Sequence, residues 1–218
     1  MTLLPRPSVR TQRKLTRGMQ LGLAGIVLAG ILSAVTGYGP GQGQSKAIVN
    51  GSIALAITGL PAVLERNYRI PLDPWLGLWI TAAVFLHTLG SAGLYGGVWW
   101  WDHLTHATSA SLVAGVGYTA MRTVDIHSDD VHLPARFAFV FILVFVLAFG
   151  VLWELFEFGL DVTADATGLT MPLAQHGLDD TVKDLVFNTV GAVVVAAFGQ
   201  AHLSGVAEDV RHGILGRQ

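Results

Sequence analysis

The chain has 218 residues, 52% of them hydrophobic and 13% charged, with a mean hydropathy of +0.54 and a formal net charge of −2. A soluble domain carries about 25% charged residues, so this composition fits a chain that runs mostly through lipid. There is no cysteine, which excludes disulfides, thiolate metal sites and a cysteine nucleophile; no P-loop, G-x-S-x-G or H-E-x-x-H pattern is present either.

The N-terminal stretch MTLLPRPSVRTQRKLTRGMQ is basic and leads into an apolar run. That run outlasts the ~7–15 residues of a signal-peptide core and lacks a small-residue cleavage site, so it reads as a retained first span. Six segments approach the ~20 residues a bilayer requires: 18–38, 47–64, 75–94, 101–122, 135–160 and 181–200. Turn-forming stretches separate them, among them GYGPGQGQS, ERNYRIPLDP, YGGVWW, DIHSDDVHLP and DATGLTMPLAQHGLDD. Each span is expected to be a helix, because lipid offers no partner to a free backbone group. The expected organisation is an all-α, six-span bundle over 18–200, between a basic tail over 1–17 and a second tail over 201–218.

Lys and Arg set the expected orientation. Eleven of the thirteen fall in the two tails and the even-numbered loops, whereas Lys46 and Lys183 lie on the other side. The positive-inside rule then places both termini in the cytoplasm of a multi-pass cell-membrane protein.

With that topology the polar residues collect at the outer ends of the spans. Asp102, His103 and His106 open the fourth span, behind Trp99, Trp100 and Trp101, which read as an interfacial belt. Glu154, Glu157 and Asp161 close the fifth, and Asp180, Asp184 and Asn188 open the sixth. His87 and Asn50 lie in the outer halves of the third and second spans. Spacings of three and four residues put each set on one helical face. A charged group at membrane depth costs at least ~2.5 kcal/mol and normally faces the bundle interior, so the three stripes are expected to face one another.

The segments WWWDHLTHATSASLVAGVGY, VLWELFEFGLDVTAD and GLDDTVKDLVFNTVGAVVVA together resemble the YjdF-like bacterial and archaeal integral membrane proteins. The last segment is also similar to VanZ-like proteins. The resemblance implies that the polar cluster is a shared feature and names no reaction.

Mixed imidazole and carboxylate donors suit Zn, Mn or Fe. The expected ligands are Asp102, His103, His106, Glu154, Glu157, Asp180 and Asp184, with His87, Asn188 and Asn50 as supporting partners. If an ion activates water there, Glu154, Glu157, Asp180 and Asp184 supply the acid–base chemistry of a hydrolase. The substrate would be lipid-linked or amphipathic. The competing readings are proton- or metal-linked transport, and a structural or accessory subunit of a membrane complex whose carboxyls share protons. The partners expected are the lipid bilayer and such a substrate; nothing in the chain points to nucleic acid. His127 and His132 read as solvated loop residues, His202 and His212 as tail residues, and His176 as a lid or extra ligand.

Overall fold

Ser8 starts the first helix well before the apolar run: its Oγ accepts a hydrogen bond from the Thr11 N–H at 3.2 Å, satisfying one of the donors a helix start leaves open. Helix α1 therefore covers Val9–Thr36 and ends at Gly37, whose φ of +71° suits glycine. Arg10, Arg13, Lys14 and Arg17 accordingly sit on its first turns. The structure, a computed structural model, describes residues 7–37, 43–68, 73–127, 133–167 and 177–199. His132, His176, His202, His212 and the second tail lie outside them.

Five more long helices follow: α2, Gly43–Tyr68; α3, Pro74–Leu89; α4, Trp101–His127; α5, Ala135–Thr167; and α6, Leu178–Val194. Asp73 caps α3, its Oδ1 accepting from the Trp75 N–H at 2.9 Å, and Pro74 occupies the first turn. One π turn, Gly90–Leu94, and a single α turn, Tyr95–Gly97, prolong α3; another π turn, Val195–Gly199, prolongs α6. The fold is all-α, with no strand among the described residues. Among the described residues, four stretches are long and apolar enough to cross a membrane: Val9–Thr36, Ile48–Asn67, Pro74–Gly97 and Ala135–Thr167. Four of the six crossings expected from the sequence meet this criterion of length and apolarity, which does not by itself establish the other two. The remaining two helices, α4 and α6, are the ones whose first turns carry Asp102, His103, His106, Asp180 and Asp184.

Helices α1, α2 and α3 pack on one another, α4, α5 and α6 form a second group, and α3 meets α4 between them. In the second group α4 and α6 run in the same direction. His106 faces Asp184, and further along each helix Ala107 and Ser111, one and five residues past His106, face Gly191, about two turns past Asp184. Helix α5 runs the opposite way, so Glu154 faces Thr181 while Gly150 faces Leu185 and Asn188. The starts of α4 and α6 and the end of α5 consequently share one end of the group. The buried face of α5 passes from Ala138, Ile142 and Val146 through Gly150 to Glu154 and Glu157. Its apolar part packs on Ala114 and Met121 of α4 and on Ala192 of α6, forming the core beneath the polar end.

Gly191 is the tightest point of this packing. A Cβ there would lie 2.3 Å from the Ala107 carbonyl oxygen and 3.0 Å from the Ser111 nitrogen, both backbone atoms that cannot rotate away. Small residues that let backbones approach are the usual cement of membrane helices. Gly191→Ala is therefore expected to force α4 and α6 apart and cost about 1–3 kcal/mol. Gly25→Ala, with nothing within 4 Å, should be neutral or gain up to ~1 kcal/mol of helix propensity. Thermal unfolding of both variants in detergent measures this, and equal melting temperatures would contradict the packing.

Candidate metal centre

The start of α4 carries Asp102, His103, Thr105 and His106 within a turn and a half. Asp102 and His106, four residues apart, share the face turned to α6. There His106 Nε2 lies 3.6 Å from Asp102 Oδ1 and 3.5 Å from Asp184 Oδ1. One donor atom from each of these three side chains falls within 4.8 Å of the other two. Asp184 is only 3% exposed, and its Oδ1 is buried without a hydrogen-bond partner. Neither His106 contact is short enough for a hydrogen bond, which spans about 2.7–3.2 Å.

The other expected ligands gather around this trio in different ways. Glu154 and Glu157 of α5 are buried at 5% and 9% exposure. Glu154 lies close enough to Asp184, and Glu157 to Asp102, for their charges to act on one another, and Asp180 acts on both Glu157 and Asp184. Glu154 Oε2 accepts from the Thr181 hydroxyl at 2.9 Å, whereas Oε1 is buried and unpartnered. The Trp153 side chain lies close enough to Glu157 to act on its carboxyl. The His103 ring is stacked on Phe187, with centroids 4.1 Å apart and planes 8° from parallel, and stands outside the trio. Lys183 bonds Asp179 on the exposed side of α6.

The supporting residues divide similarly. Asn188 is buried against Gly150, where a Cβ would come within 2.9 Å of its Nδ2. Asn50 donates to Ser91 Oγ at 2.8 Å and thereby ties α2 to the π turn after α3. His87 connects to the trio through residues that the sequence reading passed over. Its Nδ1 is 2.7 Å from the Tyr95 hydroxyl, which reaches Thr105 Oγ1 at 3.3 Å. Thr105 in turn donates to the carbonyl of Asp102 at 2.8 Å. A straight helix would separate His87 and Tyr95 by about 12 Å along its axis. Gly93, with φ of +141°, folds the chain back instead, and Gly90 leaves room for the Tyr95 ring, which would lie 2.4 Å from a Cβ there. The signal for this turn is the run GSAGLYGG, of which only Gly96 and Gly97 read as a break, Gly90 and Gly93 falling within the third expected span. Trp101 also ties α4 to α3, its indole donating to the Leu86 carbonyl at 3.1 Å, while Trp99 and Trp100 are exposed.

The family model for a predicted membrane protein, DUF2238, matches residues 20–205, from within α1 to beyond α6. The chain belongs to this family. A DUF2238 assignment is consistent with the YjdF-like resemblance; the VanZ-like one is not shown. A protein of Thermotoga maritima described as "Uncharacterized protein" is 31% identical over 140 residues, covering 62% of this chain and 67% of that one. No solved structure matches the chain.

If Tyr95 links His87 to Asp102 through Thr105, Tyr95→Phe should destabilise the protein by about 1–3 kcal/mol, because a buried ring nitrogen loses its partner. Combined with Thr105→Val the losses should fall short of additivity by at least ~0.5 kcal/mol. Chemical unfolding of the two single variants and the double variant measures this, and simple additivity would count against the linkage.

Proposed function

We propose that Asp102, His106 and Asp184 hold one divalent cation of the Zn, Mn or Fe type, and that this DUF2238 protein is a membrane-embedded, metal-dependent hydrolase of an amphipathic, lipid-linked substrate. One observation carries the proposal. Asp184 Oδ1, buried and unpartnered, stands 3.5 Å from His106 Nε2, and two ligands of a tetrahedral ion at ~2.1 Å are about 3.4 Å apart. The same holds for Asp102 Oδ1 at 3.6 Å. Imidazole with two carboxylates is a donor set for borderline metals, where Ca or Mg would prefer oxygen alone.

Three protein ligands with a position left open is the pattern of catalytic rather than structural sites. When bound, such an ion polarises a carbonyl or phosphoryl oxygen and acidifies water. Glu154 is then the general base. Thr181 fixes its Oε2, and Oε1 keeps a free lone pair to accept a proton. Glu157 and Asp180 lie beside the trio, near enough for Glu157 to act on Asp102 and Asp180 on Asp184. His87, through Tyr95 and Thr105, orients the backbone at Asp102, as groups behind a ligand do in metal sites. With Lys183 engaged by Asp179, an uncharged scissile group suits the site better than a phosphate, which is normally gripped by Arg or Lys.

In this reading α4 and α6 also cross the bilayer, as the alternating directions within their group support. Their polar first turns are shielded by α5 rather than by water. The distribution of Lys and Arg puts both termini in the cytoplasm and the site at the outer face.

Metal analysis of detergent-purified protein loaded with Zn or Mn tests the proposal. The native protein should retain about one ion per chain, and His106→Ala and Asp184→Asn should fall to roughly a tenth or less of that. His103→Ala should keep its ion, since no nitrogen of that ring joins the group of three donors. Equal retention in all four proteins, or none in the native one, would overturn the proposal in favour of carboxyls that share protons and lock the helices together.

A further inference from the structure

A groove of about 330 Å³ runs along the flank of α5 and α6, beside the trio. Val151, Leu155 and Phe158 of α5 and Leu178 and Leu185 of α6 give it apolar walls. Leu178, Leu155 and Phe158 are 79%, 61% and 55% exposed, so the groove opens sideways rather than toward the bundle axis. Its polar lining is Glu154 and Thr181. These two are bonded to each other through Glu154 Oε2, and Glu154 Oε1, in a side chain 5% exposed, has no partner. A buried acceptor left bare is costly. Lipid tails cannot supply the missing donor; an amphiphile with a hydroxyl at its polar end can.

We infer that this groove binds a single hydrocarbon chain entering laterally from the bilayer, whose terminal hydroxyl or amide N–H donates to Glu154 Oε1. The volume lies at the small end of the ~300–1,000 Å³ of ligand sites, which suits one chain and not a two-chain lipid. The proposal rests on the membrane-embedded reading of α5 and α6 and deepens the hydrolase reading. The same carboxylate that accepts a proton in catalysis would orient the polar end of the substrate, and the chain would extend away from the metal along Val151 and Leu155.

The test uses the full-length protein in phosphatidylcholine vesicles with a diazirine-bearing dodecanol as photoprobe. Labelled peptides should come from 151–158 and 178–185, and excess dodecanol should suppress labelling about tenfold or more while dodecane does not. Val151→Trp, which fills the groove, should lower labelling to a similar degree and keep its metal. Labels spread evenly over the exposed faces of α1 and α5, or equal competition by dodecane, would overturn the inference. Should Val151→Trp fail to fold, the competition on native protein decides alone. Loss of the metal proposal would show in metal content, and loss of the groove proposal in labelling, so the two fail separately.

Discussion

The close approach of α4 to α6 at Gly191 governs the distance on which the site depends. Helices normally pack with axes 8–10 Å apart, and the lower end of that range needs small residues at the contact. With no side chain at Gly191, the backbone of α6 rests on the backbone of α4 at Ala107 and Ser111. His106 precedes that contact on α4, and Asp184 precedes it by about two turns on α6. The packing of two backbones thereby sets the 3.5 Å between an imidazole nitrogen and a carboxylate oxygen. Gly150 does the same on the other side, letting α5 come close enough for Asn188 and Leu185 to lie across it and bringing Glu154 to Thr181.

The second constraint is electrostatic. Asp102, Glu154, Glu157, Asp180 and Asp184 act on one another across three helices, although burying even one charge at membrane depth costs at least ~2.5 kcal/mol. Polar contacts between membrane helices return only about 0.6 kcal/mol each, which is too little to offset such a group of acids through packing alone. The cationic side chain nearest in sequence, Lys183, turns outward to Asp179. What remains near the centre is His106 and the unpartnered oxygens of Asp184 and Glu154. A divalent cation would offset more of that charge than a histidine does, and the two separations from His106 suit it.

Much of this was legible in the sequence because lipid restricts the possibilities. The all-α class follows from apolar length, and the buried stripe of Glu154 and Glu157 follows from helical spacing on a face that continues Ala138, Ile142 and Val146. The start of α1 was also readable, since Ser8 follows Pro7 and caps the basic stretch, but charge density made that stretch resemble a tail. Other features were not legible. The sequence placed His103 and His106 together at the start of one span; three residues apart, they diverge enough for His103 to stack on Phe187 while His106 meets Asp184. Which of two neighbouring histidines faces a partner depends on the rotation of α4 about its axis, and that rotation is fixed by Gly191, far along another helix. Tyr95 was hidden for a different reason: its contact with His87 exists only because Gly93 takes a φ of +141°. A glycine inside an apolar run reads as part of the span, and nothing in the run says that the chain turns there.

The central claim is that three side chains from two helices share one ion. Anomalous scattering from crystals of metal-loaded protein, recorded at the absorption edge of that metal, tests it most directly. The account predicts one peak between α4 and α6, about 2.0–2.2 Å from His106 Nε2 and from a carboxylate oxygen of Asp102 and of Asp184. A peak confined to other residues, or none while Asp102 and Asp184 bond each other through a shared proton, would contradict it.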